Sequence, residues 1–152
     1  MDTFNNDFED FIRSLNQHKV EYILIGGYAV ILHGYWRSTG DLDIWVKRTE
    51  ENYLKLTRAY YEFGLPLLDM TKANFLSPAD FNVFTYGIPP VAIDVLTEVK
   101  GLEFASAFEN SVAYDIDGLK VNVLSLKHLI EAKKASNRPR DQDDIQNLLD
   151  KS

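Results

Sequence analysis

Apolar residues recur at helical spacing near the start of the chain. Phe4, Phe8, Phe11, Ile12 and Leu15 share one side of residues 3–18 and predict an amphipathic helix. Val20 to Ile25 is a short apolar run ended by Gly26-Gly27, which reads as a buried strand. Tyr28 to Leu32 stays apolar and stops at Gly34, a short helix with a glycine exit. The period then changes. Leu42, Ile44 and Val46 alternate with Asp41, Asp43 and Trp45, the two-residue repeat of a strand. Tyr53, Leu56, Tyr60 and Phe63 restore the helical period up to Gly64-Leu65-Pro66.

The second half is rich in strand signals. Pro66 and Pro78 bracket a mixed segment over residues 65–82 that predicts loop with one short element. Asn82 to Tyr86 and Val91 to Leu96 read as two strands joined by Gly87-Ile88-Pro89-Pro90. Val112 to Ile116 and Leu119 to Leu124 flank Asp117-Gly118, a strong hairpin signal. Ser125 caps a helix running to about Ser136, and Arg140 to Leu149 makes a last one. The order is helix, strand, helix, strand, helix, strands, helices. It predicts an α+β (mixed α/β) fold with a small mixed sheet, helices packed against it and a helix pair at the C-terminus. The 152 residues are read as one domain over 1–152.

Composition narrows the function classes. The chain has no cysteine, which removes thiolate metal sites, disulfides and cysteine nucleophiles. No apolar run approaches the ~20 residues of a membrane helix, and Met1 to Asp10 is too polar for a signal peptide, so a cytoplasmic location and no membrane partner are expected. A net charge of -7 argues against an extensive nucleic-acid footprint.

Candidate chemistry gathers around three aspartates. Asp41 and Asp43 lie two apart in a strand and so share a face. Two neighbouring carboxylates repel, and Mg²⁺ relieves that repulsion with a few carboxylates, water and substrate phosphates. Asp94 sits within Val91-Ala92-Ile93-Asp94-Val95-Leu96, where a lone carboxylate is costly without a partner or a metal. If its strand lies beside that of Asp41 and Asp43, three carboxylates converge as in a two-metal site. Gly26-Gly27 opens a helix, whose free N–H groups suit an anion. Lys133 continues the apolar stripe of Leu126, Leu129 and Ile130 and therefore points inward, which reads either as a snorkelling lysine at the helix end or as a contact to phosphate or to one of the aspartates. Asp141 and Asp144 read as caps of the last helix. His18, His33 and His128 are scattered and support no zinc site.

Ile25-Gly26-Gly27-Tyr28-Ala29, then His33-Gly34, Arg37, Thr39 and Asp41-Leu42-Asp43-Ile44, resemble the signature of the nucleotidyltransferase superfamily, the DNA polymerase beta-like fold. The closer resemblance is to small bacterial nucleotidyltransferases of the minimal type, including relatives of toxin–antitoxin and abortive-infection systems. Asp94 stands where that family places its third acid. Lys133, Arg138-Pro139-Arg140-Asp141 and Asp144 resemble its C-terminal helix pair. The resemblance spans about Val20 to Leu149. It implies transfer of a nucleoside monophosphate from an NTP to a hydroxyl, with two Mg²⁺ ions. By the same resemblance Asp41, Asp43 and Asp94 are catalytic and metal-binding, and Gly26, Gly27, Arg37, Thr39 and Lys133 contact the nucleotide. There are two departures. Many members carry Gly-Ser at the turn, where the serine hydroxyl contacts phosphate, and this chain has Gly27. Asn137 replaces the usual glycine before the arginine.

The acceptor is left open between an RNA end, a protein and a small molecule. Two other readings compete with the free-standing enzyme. One is a toxin or catalytic subunit completed by an antitoxin or helical partner. The other is an inert nucleotide-binding module.

Overall fold

The computed structural model describes residues 3–77, 80–88 and 91–151, the last without its side chain. Pro78, Pro89 and Pro90, which bracket or join predicted elements, lie outside the described residues. In chain order the elements are α1 (Asn6–Gln17), β1 (Tyr22–Ile25), α2 (Gly26–Leu32), β2 (Leu42–Val46), α3 (Glu50–Phe63), α4 (Lys72–Phe75), β3 (Val83–Ile88), β4 (Val91–Leu96), α5 (Phe104–Glu109), β5 (Val112–Ile116), β6 (Leu119–Val123), α6 (Leu126–Ser136) and α7 (Pro139–Lys151). The strands form one mixed sheet in the order β3-β4-β2-β1-β6-β5. The predicted α+β class and the C-terminal helix pair are both present.

Local chemistry explains most boundaries. Asn5 accepts from the Phe8 N–H at 2.8 Å and so starts α1. Strand β1 begins at Tyr22 rather than Val20. Lys19 turns with a φ of 57° and the Val20 N–H returns to Leu15 O, which delays the strand. Ser125 caps α6 by accepting from His128 N, as expected. Asn137 closes α6 in the left-handed conformation that glycine would adopt, so the departure there is conformationally neutral. Asp117 and Gly118 both have positive φ, as the two-residue hairpin between β5 and β6 requires.

The segment over 65–82 contains the one short element expected there, α4, capped by Thr71, and is tied down by Tyr53 Oη donating to Met70 O and Tyr86 Oη to Leu67 O. Two places differ from expectation. Strand β3 continues through Gly87 and Ile88, which pair with Ala92 and Val91. The left-handed φ of 96° at Gly87 lets the ladder run into what reads as connection. Helix α5 falls between strands where no element was predicted. It places Phe104 edge-on against Trp45, at 5.2 Å between ring centroids. That contact covers the β2 face that Trp45 shares with Asp43, so Trp45 is buried along with Leu42, Ile44 and Val46 on the opposite face.

The core is continuous through the sheet and α1. Phe8, Phe11, Ile12 and Leu15 are all buried, Phe11 packs on Tyr60 and Phe63 of α3, and Phe8 on Tyr28 of α2. One buried amide holds the β1–β2 pair to α3. Asn52 accepts from Glu21 N at 2.8 Å and donates to Glu21 O at 3.1 Å and Lys47 O at 2.9 Å. These bonds fix the far ends of β1, which leads into Gly26, and of β2, which carries Asp43. Asn52→Ala is expected to lower stability by about 2–3 kcal/mol, at roughly 1 kcal/mol per lost bond, as read from the urea midpoint. A change within error would remove this role.

Candidate active site

Strands β2 and β4 are parallel neighbours, in register with Asp43 opposite Asp94. On the other side of β2, antiparallel β1 puts Ile25 opposite Asp43, so the turn into α2 meets the same carboxylate. A Cβ on Gly26 would lie 2.1 Å from Asp43 Oδ2, and Gly26 has a φ of +72°. Both the space and the backbone demand glycine. A Cβ on Gly27 would lie 2.2 Å from Thr39 Oγ1 and 3.3 Å from Arg37 Nη1. The glycine pair therefore packs directly against Asp43, Thr39 and Arg37.

Asp41 precedes β2 and accepts from Ala92 N at 3.1 Å. Asp94 accepts at Oδ1 from the Thr85 hydroxyl at 2.7 Å, across the β3–β4 ladder. Burial raises the Asp43 carboxyl first. The charge of Asp94, a hydrogen bond between the two carboxyls and the charge of Asp41 add to it, and Lys133 opposes them. The outcome is a pKa pushed up to about 7. Among the described residues no group of three or more His, Cys, Asp or Glu side chains forms a ready-made metal cage. The donor chemistry still fits Mg²⁺, which is commonly bound by one or two carboxylates together with substrate phosphates. Asp43 and Asp94 supply that pair.

A buried ionic network faces the acids. Asp144 is fully buried. Its carboxylate accepts from Arg37 Nη2 at 3.1 Å, pairs with Arg37 Nε at 2.9 Å outside hydrogen-bond angle, and meets Lys133 Nζ at 2.9 Å. Asp141, also fully buried, lies 3.5 Å from Lys133 Nζ and takes three bonds from Arg138, one from its backbone N–H. Burial alone would raise Asp141. The bonds from Arg138 and one from Ser136 overcome it and hold the carboxyl well below the usual carboxylate range. Asp141 does cap α7 through Arg138 N, as expected, but Asp144 is no cap. It anchors Arg37 and Lys133.

All eight residues singled out from the sequence line one cleft of about 660 Å³: Gly26, Gly27, Arg37, Thr39, Asp41, Asp43, Asp94 and Lys133. Ser38, Gly40, Val91, Arg138 and Arg140 complete it. None of the three histidines lines it. His33 bonds to Leu124 O and His18 to Glu62. Sequence reasoning missed Thr85, the partner of Asp94, and the anchoring role of Asp144. The signal for Asp144 was present, since Asp141, Asp144 and Leu148 fall on one helical stripe.

A family model described as "Nucleotidyltransferase of unknown function (DUF6036)" matches residues 5–149. The chain belongs to this family. None of the curated proteins matches it. Among solved structures it is similar to TM1012 of Thermotoga maritima, a nucleotidyltransferase candidate, at 15% identity and a TM-score of 0.59, over 95% of this chain and 91% of that one. It is similar to the lincomycin-bound lincosamide antibiotic adenylyltransferase LnuA at 14% identity and a TM-score of 0.57, over 100% of both chains. It also resembles an antigenic nucleotidyltransferase-like protein of Paracoccidioides brasiliensis, at 14% identity and a TM-score of 0.55, over 94% and 72% of the two chains. At these identities the likeness is one of fold, and that fold is the nucleotidyltransferase fold expected from the sequence.

Two expectations follow for this family member. The Asp43 carboxyl goes from a pKa of 3.8 to about 7 on folding, so the folded chain holds a proton that the unfolded chain has lost. Between these values stability falls as pH rises. Without divalent ions, Asp43→Asn should therefore melt above wild type at pH 8, and the gap should close toward pH 4. A gap independent of pH would refute this origin. Asp144→Ala removes the carboxylate partner of Arg37 and leaves Lys133 only Asp141 at 3.5 Å, and should cost about 3–5 kcal/mol in urea unfolding.

Proposed function

We propose that the protein transfers a nucleoside monophosphate from an NTP to a hydroxyl-bearing acceptor. The observation that carries this reading is the in-register pair Asp43–Asp94 at the floor of a cleft whose other wall is cationic. The family match and the fold shared with an adenylyltransferase support the same reaction class.

In this reading Gly26, Gly27, Thr39, Arg37 and Lys133 receive the triphosphate, with Arg138 and Arg140 at the cleft wall. The two glycines present backbone without side chains, and the cations offset phosphate charge. Asp144 and Asp141 keep the cationic side chains in place and neutralise part of their charge. The acceptor oxygen bonds to the α-phosphorus, the bond from that phosphorus to the β-phosphate bridge breaks, and pyrophosphate leaves. Asp94 takes the acceptor proton, and Thr85 orients its carboxylate. Two Mg²⁺ ions held by Asp41, Asp43 and Asp94 with the NTP would supply charge stabilisation at the transferring phosphoryl group.

The test uses α-labelled NTPs, Mg²⁺ and cell extract. Wild type is expected to move label onto an acceptor. Asp94→Asn should reduce the rate by roughly 10²–10⁴-fold, the usual worth of a general base, and Asp43→Ala should abolish transfer. No transfer by wild type, with no NTP-dependent thermal shift, would sink the reading and leave an inert module.

A further inference from the structure

The cleft has two unlike lobes that meet at Asp43 and Asp94. Both lobes are lined by Gly26, Asp43, Asp94, Lys133 and Arg138. Beyond these shared residues the first lobe is polar and cationic, with Arg37, Ser38, Thr39 and Arg140. The second has a volume of about 350 Å³; beyond the shared residues its walls are mostly apolar, with Ile25, Leu96, Val99, Leu124, Leu129 and Ala132, and Glu98, Lys100, Ser136 and Asp141 complete them. It lies between the end of β4 and the inward side of α6. The loop after β4 is pressed against α6 at Gly101, where a Cβ would come within 2.8 Å of Ala135 Cβ.

The two lobes differ in chemistry. A triphosphate fits the first and gains nothing from the apolar walls of the second. Resting on the function proposed above, we propose that the second lobe binds the acceptor, and that the acceptor is a small organic molecule carrying its hydroxyl on an apolar body. Its volume lies within the range of small-molecule pockets. A polynucleotide end would need several cations along its phosphates. Among the described residues the lobe adds one cation to the shared ones, Lys100, against the acids Glu98 and Asp141. The shared cations Lys133 and Arg138 are already assigned to the triphosphate, so they do not serve a second run of phosphates. The chain as a whole carries -7. With an acceptor seated there, its hydroxyl oxygen lies beside Asp94, attacks the α-phosphorus held in the first lobe, and passes its proton to the Asp94 carboxylate as pyrophosphate leaves.

Ala132 and Val99 line the second lobe and not the first, so enlarging them separates the two. The experiment incubates wild type, Ala132→Phe and Val99→Phe with α-labelled NTPs, Mg²⁺ and cell extract resolved into dialysable, RNA and protein fractions. NTP binding is followed separately by thermal shift with non-hydrolysable NTPs, which also shows that each variant is folded. Label is expected in the dialysable fraction, in a new species separated by chromatography from NTP and its hydrolysis products and absent without the protein. Both variants should cut transfer roughly tenfold or more, a loss typical of a reshaped apolar pocket, while keeping the NTP-induced shift. Label in RNA or protein overturns the acceptor class. Loss of the NTP shift together with transfer shows that the lobe holds the nucleoside and overturns the assignment, as does transfer unchanged in both variants. No transfer by wild type to any fraction overturns the parent function itself, an outcome distinct from these.

Discussion

The register of two parallel strands forces two carboxylates into contact, and this end of the molecule is arranged around that cost. Neither strand can slip to separate Asp43 from Asp94, because a one-residue shift would turn Leu42, Ile44, Ile93 and Val95 out of the core. Hydrophobic burial of the opposite face thus maintains an electrostatic conflict on this one. Lys133 opposes it from across the cleft, and Thr85 and the Ala92 N–H satisfy the outer acids. A conflict this well enclosed invites a cation or a proton, and the surrounding structure leaves space for phosphate beside it.

The C-terminal helices complete the site from a distance in sequence. Arg37 comes from the loop before β2, Lys133 from α6 and Asp144 from α7, yet all three meet in one buried ion network. Buried pairs of this kind add little net stability when intact and cost much when broken. Their effect is to specify position. The loop carrying Arg37 and Thr39 is held to α7, and Lys133 is held where it faces Asp43.

Much of the fold and most of the cleft were legible from the chain alone, for identifiable reasons. Strong periodicity marked α1, α3 and β2, and turn chemistry marked the Asp117-Gly118 hairpin. Asp94 stood out because an ionisable residue interrupted an apolar strand, and Lys133 because it continued an apolar stripe. Helix α5 escaped because its six residues are too few to show a period, and only Ala107 is fully buried. The length of β3 escaped because Gly87 usually ends a strand, whereas here its positive φ continues the ladder. Asp144 was mistaken for a cap because helix-start acids are common, while its true partners are 107 and 11 residues away in the chain. Thr85 carried no local signal at all, since only the β3–β4 register brings it to Asp94.

The close approach at Gly27 decides which substitutions this turn accepts. Thr39 Oγ1 lies 2.2 Å and Arg37 Nη1 3.3 Å from the place where a Cβ on Gly27 would stand. Any side chain at 27 therefore competes with Thr39 for the same volume. The turn into α2 and the loop before β2 form one packing unit, so a larger residue at 27 requires a smaller one at 39.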